Sequence, residues 1–170
     1  YSDITGLDDE MGQVFDLVKQ KFGNNFLFLF TSDHGGQWPF GKWNLYDVSI
    51  KSPLIVVWPG KIEKNTRTTA MVSWIDIFPT LIDITGARIP INLDGRSFYE
   101  VIKDPSKAHR EIVFTTHSGD NKWNVYPIRS VRNKRYKYIS NLLSECYHTN
   151  HSDILRKDGA GAYWTALITI

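Results

Sequence analysis

The sequence predicts an α/β fold: a mixed or parallel sheet with a helix packed on one face, followed by a small antiparallel subdomain. Three observations carry this. Leu7, Met11, Val14, Phe15, Val18 and Phe22 recur at helical spacing. Two continuous apolar runs, Phe26–Phe30 and Pro53–Trp58, have strand length and the pattern of strands buried on both faces. Three shorter segments joined by polar turns, Glu111–Thr116, Tyr126–Val131 and Arg135–Ser140, read as an antiparallel sheet.

In chain order, the first helix is predicted over Leu7–Phe22, with Gly23 as its C-terminal cap. The strand Phe26–Phe30 follows, then a loop rich in Gly, Trp, Asn and Lys, then the second strand, closed by Pro59-Gly60. Asp76 is placed to cap a helix carrying Ile77, Leu81, Ile82 and Ile84, with Pro79 tolerated in its first turn and Gly86 ending it. Strand, helix and strand in alternation argue for a parallel sheet. The segment 87–107, with Pro90, Asp94-Gly95 and Asp104-Pro105, reads as the connection between the two parts. A closing helix is expected around Tyr163–Ile168.

Composition narrows the function classes. The 170 residues suffice for one domain with a sizeable core, and 42% hydrophobic content with a net charge of +2 describes a globular protein. So small a basic excess does not argue for nucleic acid, and no apolar run is long enough to span a bilayer. Aromatic content is high at 14%, with six Trp and eight Tyr, as in sugar-stacking clefts or a generously packed core. The single cysteine, Cys146, excludes an intrachain disulfide framework and a multi-cysteine zinc site. The chain opens at Tyr1, directly in patterned sequence, and is expected to be part of a longer protein.

The chemistry gathers at the end of the first strand, in FLFLFTSDHGGQW, Phe26 to Trp38. In open α/β sheets, ligands collect outside the carboxyl ends of the strands. There Asp33 and His34 supply a hard carboxylate oxygen and an imidazole, a pair suited to a divalent cation, and Gly35-Gly36 lets the backbone turn away. The alternative is a polar turn in which Asp33 caps the backbone and His34 is solvated.

The run TSDHGGQWPFGKWNLYD, Thr31 to Asp47, followed by KSPLIVVWPG, Lys51 to Gly60, resembles the sulfatase family of the alkaline phosphatase superfamily. That family reads S-D-[HN]-G, a short loop, G-[KR]-x-x-x-[YF]-[ED], then R-x-P-[LF]-[IV] and P-G. LDDEMGQVFDLV, WIDIFPTLIDITG, LDGRSF and RSVRNKRYKYI resemble other family landmarks in the same order, so the resemblance covers residues 1 to about 140. It implies an alkaline-phosphatase-like sandwich, with residues 1–107 as the C-terminal part of the catalytic α/β domain. Residues 108–170 then form the small C-terminal subdomain. In such enzymes a hydrated formylglycine attacks the sulfur, and a metal ion, usually calcium, holds the sulfate and the nucleophile. Asp33 matches a metal-ligating carboxylate. His34 matches the adjacent position, which coordinates the metal or hydrogen-bonds the nucleophile. Lys42 matches the basic residue that grips the sulfate. A solvated loop lysine is the plain alternative. Family members are periplasmic, secreted or lysosomal.

One departure stands out. The nucleophile motif C-x-[PA]-x-R is not in this chain, and Cys146 in SECYHTN is expected to be a packing residue. The resemblance therefore implies a C-terminal portion bearing about half of a site, inactive alone and completed by the N-terminal part of the same protein. His117, in THSGDNKW, and Arg129 are further substrate-binding candidates, together with Trp123 and Tyr126. A surface histidine and a structural arginine are the alternatives. The cluster Arg129, Arg132, Lys134, Arg135 and Lys137 reads mostly as the solvated face of a strand. Asn150-His151-Ser152 fits a glycosylation acceptor, a pattern common by chance. The segment Val125 to Leu142 looks most like heparan N-sulfatases (N-sulfoglucosamine sulfohydrolases), which implies a sulfated carbohydrate as substrate. A phosphodiester or phosphonate ester hydrolase of the same superfamily, or a non-catalytic sugar-binding module, are the other readings.

Overall fold

The computed structural model describes residues 2–36, 41–119 and 126–146. The expected closing helix at Tyr163–Ile168, Trp123 and Asn150-His151-Ser152 lie outside them. The chain divides into two compact units. One comprises Tyr1–Thr31, Leu54–Ala70 and Trp74–His109, the other Ser32–Pro53, Met71–Ser73 and Arg110–Ile170. No helix among the described residues is long and apolar enough to cross a membrane.

In the first unit, α1 (Ser2–Phe22) starts five residues before the apolar periodicity does. Its polar first turn leaves no hydrophobic pattern to read, and Asp3 there complements the helix dipole. Gly23 ends the helix with φ 62°, as expected of a left-handed cap. The Phe15 ring meets Phe26 and Phe28 edge-on at 5.6 and 5.4 Å, which ties α1 to the strand β1 (Phe28–Thr31). That strand pairs with β2 (Leu54–Val57) in antiparallel register, Phe28 opposite Val57 and Thr31 opposite Leu54. This corrects the parallel arrangement expected from the alternation of elements; a mixed sheet accommodates the pair. An apolar run reports burial but not direction, and an antiparallel pair needs no helical crossover between its strands. Burial on both faces is corrected as well: every residue of β1 is half-buried and Ile55 of β2 is exposed. Ile4, Leu7, Val14, Leu17 and Phe22 of α1 also stand exposed.

The helix α3 (Ile77–Ile84) follows a 3-10 turn at Trp74–Asp76, and Gly86 stops it with φ 72°. Asp76 does not cap it. Its side chain is fully buried, Oδ1 accepting the Arg96 backbone N–H at 2.9 Å and Oδ2 accepting His109 Nε2–H at 3.1 Å. Thr80 extends the same join, donating to the Asp76 carbonyl at 2.6 Å and accepting the Phe98 N–H at 2.9 Å. Gly95 lies so close that a Cβ would stand 1.8 Å from the Ile75 carbonyl oxygen. The segment taken as a connection is thus a strap tied onto α3. It ends in a short helix, α4 (Tyr99–Lys103), whose Val101 is buried along with Phe98.

The second unit carries a three-stranded antiparallel sheet in the order β3 (Val113–His117), β4 (Ile128–Arg132), β5 (Lys137–Asn141). Each strand begins two residues later than its sequence pattern. His117 pairs with Ile128, and Ile128 with Asn141. Leu45, Tyr126 and Ile128 form the core, and Ile50, Ile139 and Cys146 pack against it, which places the lone cysteine as a packing residue.

Removing the Asp76 carboxylate strands the Arg96 N–H and the His109 imidazole in the interior. Asp76→Ala is expected to cost about 2–4 kcal/mol of unfolding free energy, measured by urea denaturation followed by circular dichroism. A loss below about 1 kcal/mol would show that the buried join does not hold the strap.

Candidate functional site

Asp33, His34, Lys42, His117 and Arg129 all fall within the second unit. Ser32, directly after β1, fixes the turn that carries the first two: its hydroxyl donates to the His34 carbonyl at 2.8 Å. The His34 N–H donates to Asp33 Oδ1 at 2.9 Å, which aims the carboxylate toward the imidazole. Gly35 makes the turn possible. Its N–H bonds the Ser49 carbonyl at 2.6 Å, and a Cβ would fall 1.7 Å from the Val48 carbonyl oxygen.

The imidazole has a defined hydrogen-bonding role. Nδ1 lies 2.7 Å from the Gly35 carbonyl oxygen, which only accepts, so Nδ1 carries the proton. Nε2 then faces Asp33 Oδ2 at 3.2 Å. That contact is favourable when Nε2 shares a proton with the carboxylate, or when both lone pairs face a cation. Asp33 is 76% exposed and His34 35%, so the pair is open to ligands. A carboxylate oxygen and an imidazole nitrogen set side by side are a fitting fraction of a divalent-cation site. Among the described residues no group of three or more His, Cys, Asp or Glu could hold a metal ion.

Lys42 sits in a turn closed by the Asn44 N–H on the Gly41 carbonyl at 3.2 Å, and its own N–H bonds the Gly36 carbonyl at 3.0 Å. Its ammonium stands 5.0 Å from the centroid of the Trp43 ring, within cation–π range. His117, at the end of β3, meets Trp43 edge-on at 5.9 Å and Tyr126 at 5.4 Å. Tyr126 is fully buried and its hydroxyl donates to the Trp43 carbonyl at 3.1 Å, so its ring is not available to stack on a sugar. Burial pushes its phenol up to about 12, which keeps the donor proton in place. Arg129 spends Nη1 on the His117 and Ile128 carbonyls, both at 2.9 Å, and so braces the end of β3. Asn44 is buried, and neither atom of its amide is hydrogen-bonded to a described residue.

Lys134 and Arg135 stand exposed, as the solvated-face reading expects, whereas Arg132 and Lys137 take defined partners. Arg132 donates to Asp47 at 2.5 Å, while Lys137 pairs with the same carboxylate and donates to the Leu45 carbonyl at 2.9 Å. Asp47 ends the G-K-x-x-x-Y-D run, and this clasp docks that run on the β4–β5 hairpin. The anchoring roles of Trp43, Tyr126 and Asp47 were not assigned from the sequence. Their motif position was visible, but the cross-chain partners that define the roles were not.

Comparison with known structures shows the fold. BT4656, solved in complex with its substrate D-glucosamine-2-N,6-O-disulfate, superposes with a TM-score of 0.70 over 98% of this chain and 37% of its own, at 18% identity. The phosphonate monoester hydrolase SpPMH from Silicibacter pomeroyi superposes at 0.66 over 95% of this chain and 37% of its own, at 22% identity. The fold is therefore the alkaline-phosphatase-like fold of the sulfatases, seen in its C-terminal region. The family described as N-sulphoglucosamine sulphohydrolase, C-terminal, matches residues 34–153, and the chain belongs to it. An ulvan-active sulfatase of Formosa agariphila is 30% identical over 85% of this chain, and mouse arylsulfatase G is 30% identical over 66%. The chain spans 29% and 26% of the lengths of these two relatives.

The clasp gives a pH dependence with a definite sign. The hydrogen bond from Lys137 chiefly holds the Asp47 carboxyl below its ordinary 3.8; burial opposes it, and the hydrogen bond from Arg132 adds to the lowering. A carboxyl depressed on folding stabilises the protein above its unfolded value and loses that contribution as pH falls toward the folded one. Asp47→Asn should lower the melting temperature at pH 7, and the gap from wild type should close below about pH 4. A gap of equal size at pH 7 and pH 3, measured by calorimetry, would show that the charge is not what docks the run.

Proposed function

We propose that this chain is the C-terminal part of a metal-dependent sulfatase that hydrolyses sulfate esters or sulfamates of a carbohydrate. The observation that carries the reading is the Ser32–Gly35 turn, which sets Asp33 Oδ2 and His34 Nε2 side by side at 3.2 Å while Nδ1 faces the Gly35 carbonyl. Asp33 and His34 would hold a divalent metal, with calcium proposed from the family, and the rest of the parent protein would complete its six to eight ligands. When bound, such an ion supplies Lewis-acid stabilisation of negative charge on the sulfate. Lys42 offers a fixed ammonium to the sulfuryl oxygens, where charge builds as the ester bond breaks. His117 and Arg129 border the Lys42 turn through Trp43 and the end of β3, and are proposed to contact the sugar. Sulfated sugar is favoured as substrate by BT4656, whose substrate is a disulfated glucosamine, and by the ulvan-active sulfatases. The formylglycine nucleophile is expected upstream, so the chain alone is proposed to be inactive. The likeness to SpPMH supports a second reading, phosphonate ester hydrolysis with the same cation pair.

In the full-length protein, Lys42→Ala should lower kcat by about 10²- to 10³-fold, the cost of one lost oxyanion donor, and Asp33→Ala should abolish calcium binding measured by calorimetric titration. Full activity in both variants would refute the site. kcat/KM compared on N-sulfoglucosamine, an O-sulfated sugar, an aryl sulfate and a phosphonate monoester decides the substrate class. Preference for the phosphonate ends the sulfatase reading, and preference for the aryl sulfate ends the carbohydrate one.

A further inference from the structure

We propose that Tyr126 is a positioning residue for Lys42 and acts through the backbone and ring of Trp43. The proposal rests on the reading of Lys42 as the group that holds the sulfate. It starts from a conformational anomaly. Gly41 to Asn44 is a four-residue turn closed by the Asn44 N–H on the Gly41 carbonyl, and its third residue, Trp43, has φ 75°. A turn with positive φ at that position ordinarily takes Gly or Asn there. A bulky side chain in the left-handed region is strained, and such strain persists only where the surroundings impose it.

The surroundings that impose it are visible. The Tyr126 hydroxyl, on a side chain with no exposed surface, donates to the Trp43 carbonyl at 3.1 Å. The same phenol ring lies 5.4 Å from His117, which meets the Trp43 indole edge-on at 5.9 Å. Trp43 is thus held at its carbonyl directly and at its ring through the His117 imidazole. What the strained residue does in return is steer Lys42. The ammonium sits 5.0 Å from the indole centroid, and among the described residues no hydrogen bond or ion pair holds it otherwise. A lysine has four rotatable bonds and would sample many directions; the indole face removes most of them. Glycine at this position would satisfy the backbone without strain and leave the ammonium unguided.

The test uses the full-length enzyme and the preferred substrate of the panel above. Tyr126→Phe keeps the ring and deletes only the hydroxyl bond to Trp43; kcat/KM should fall about 5- to 20-fold, the scale of one lost hydrogen bond in a positioned site. Introduced into Lys42→Ala, the same change should cost less than about 2-fold, because its target is gone. An equal loss in both backgrounds would show a general structural role and overturn the proposal. Lys42→Ala with unchanged kcat/KM would instead overturn the reading of Lys42 itself. Trp43→Gly supplies an independent arm: it relieves the positive φ, so the melting temperature should hold or rise while kcat/KM falls at least about 10-fold, the scale of a misplaced charge contact. Full activity of Trp43→Gly would overturn the proposal whatever Tyr126→Phe does.

Discussion

The burial of Tyr126 is the constraint on which the second unit depends. The loop 41–50 has little regular structure of its own: one closed turn and the four-residue helix α2 (Asp47–Ile50). Such a segment does not hold a shape unaided. It is fixed because Leu45 packs with Tyr126 and Ile128 in a shared core, and because the phenol hydroxyl caps the Trp43 carbonyl. Asp47 adds its clasp to Arg132 and Lys137 at the rim. Magnitudes rank these contributions. Two large side chains taken out of water contribute about 1.5–3 kcal/mol each, whereas half-exposed ion pairs contribute about 0–1 kcal/mol each. The apolar anchor holds the loop down, and the charges select how it lies.

In the first unit a buried carboxylate does comparable work by different means. Asp76 accepts the Arg96 N–H and the His109 imidazole, and Thr80 one turn later accepts the Phe98 N–H. The strap 94–98 has no ladder to satisfy its backbone, so side chains of the α3 segment supply the partners. Gly95 completes the fit, since a Cβ there would stand 1.8 Å from the Ile75 carbonyl oxygen.

Much of this was legible in the sequence where pattern and physics coincide. The α1 periodicity, both strand runs, the three short strands and Gly23 and Gly86 as stops follow from spacing and glycine chemistry, and each element is present. Direction was not legible: Phe26–Phe30 and Pro53–Trp58 read the same whether their strands run parallel or antiparallel, and the structure pairs them antiparallel. Partnership over long sequence separation was not legible either. Asp76 beside a helix start looks like a cap, and only the fold reveals that residues 96 and 109 claim its oxygens. Arg132 and Lys137 alternate with apolar residues like a solvated strand face, yet both point to Asp47 on the opposite side of the sequence. At the candidate site the motif letters named Asp33, His34 and Lys42, while Trp43 and Tyr126 emerge only from contacts spanning more than eighty residues.

The two site-bearing turns solve opposite problems. At Gly35 the obstacle is space: the backbone must pass the Val48 carbonyl at a distance no side chain allows, and glycine removes the obstacle with little strain. At Trp43 the obstacle is direction: the backbone adopts a glycine-like angle, yet a large indole occupies the position. Stability alone would favour glycine at both. A residue that raises the local energy is kept in place only by its neighbours, here Tyr126 and His117. Asn44, buried next to it, carries an amide that bonds no described residue. A backbone in the left-handed region at Trp43 and a buried amide at Asn44 therefore follow Lys42 directly in its turn, beside the core built on Tyr126.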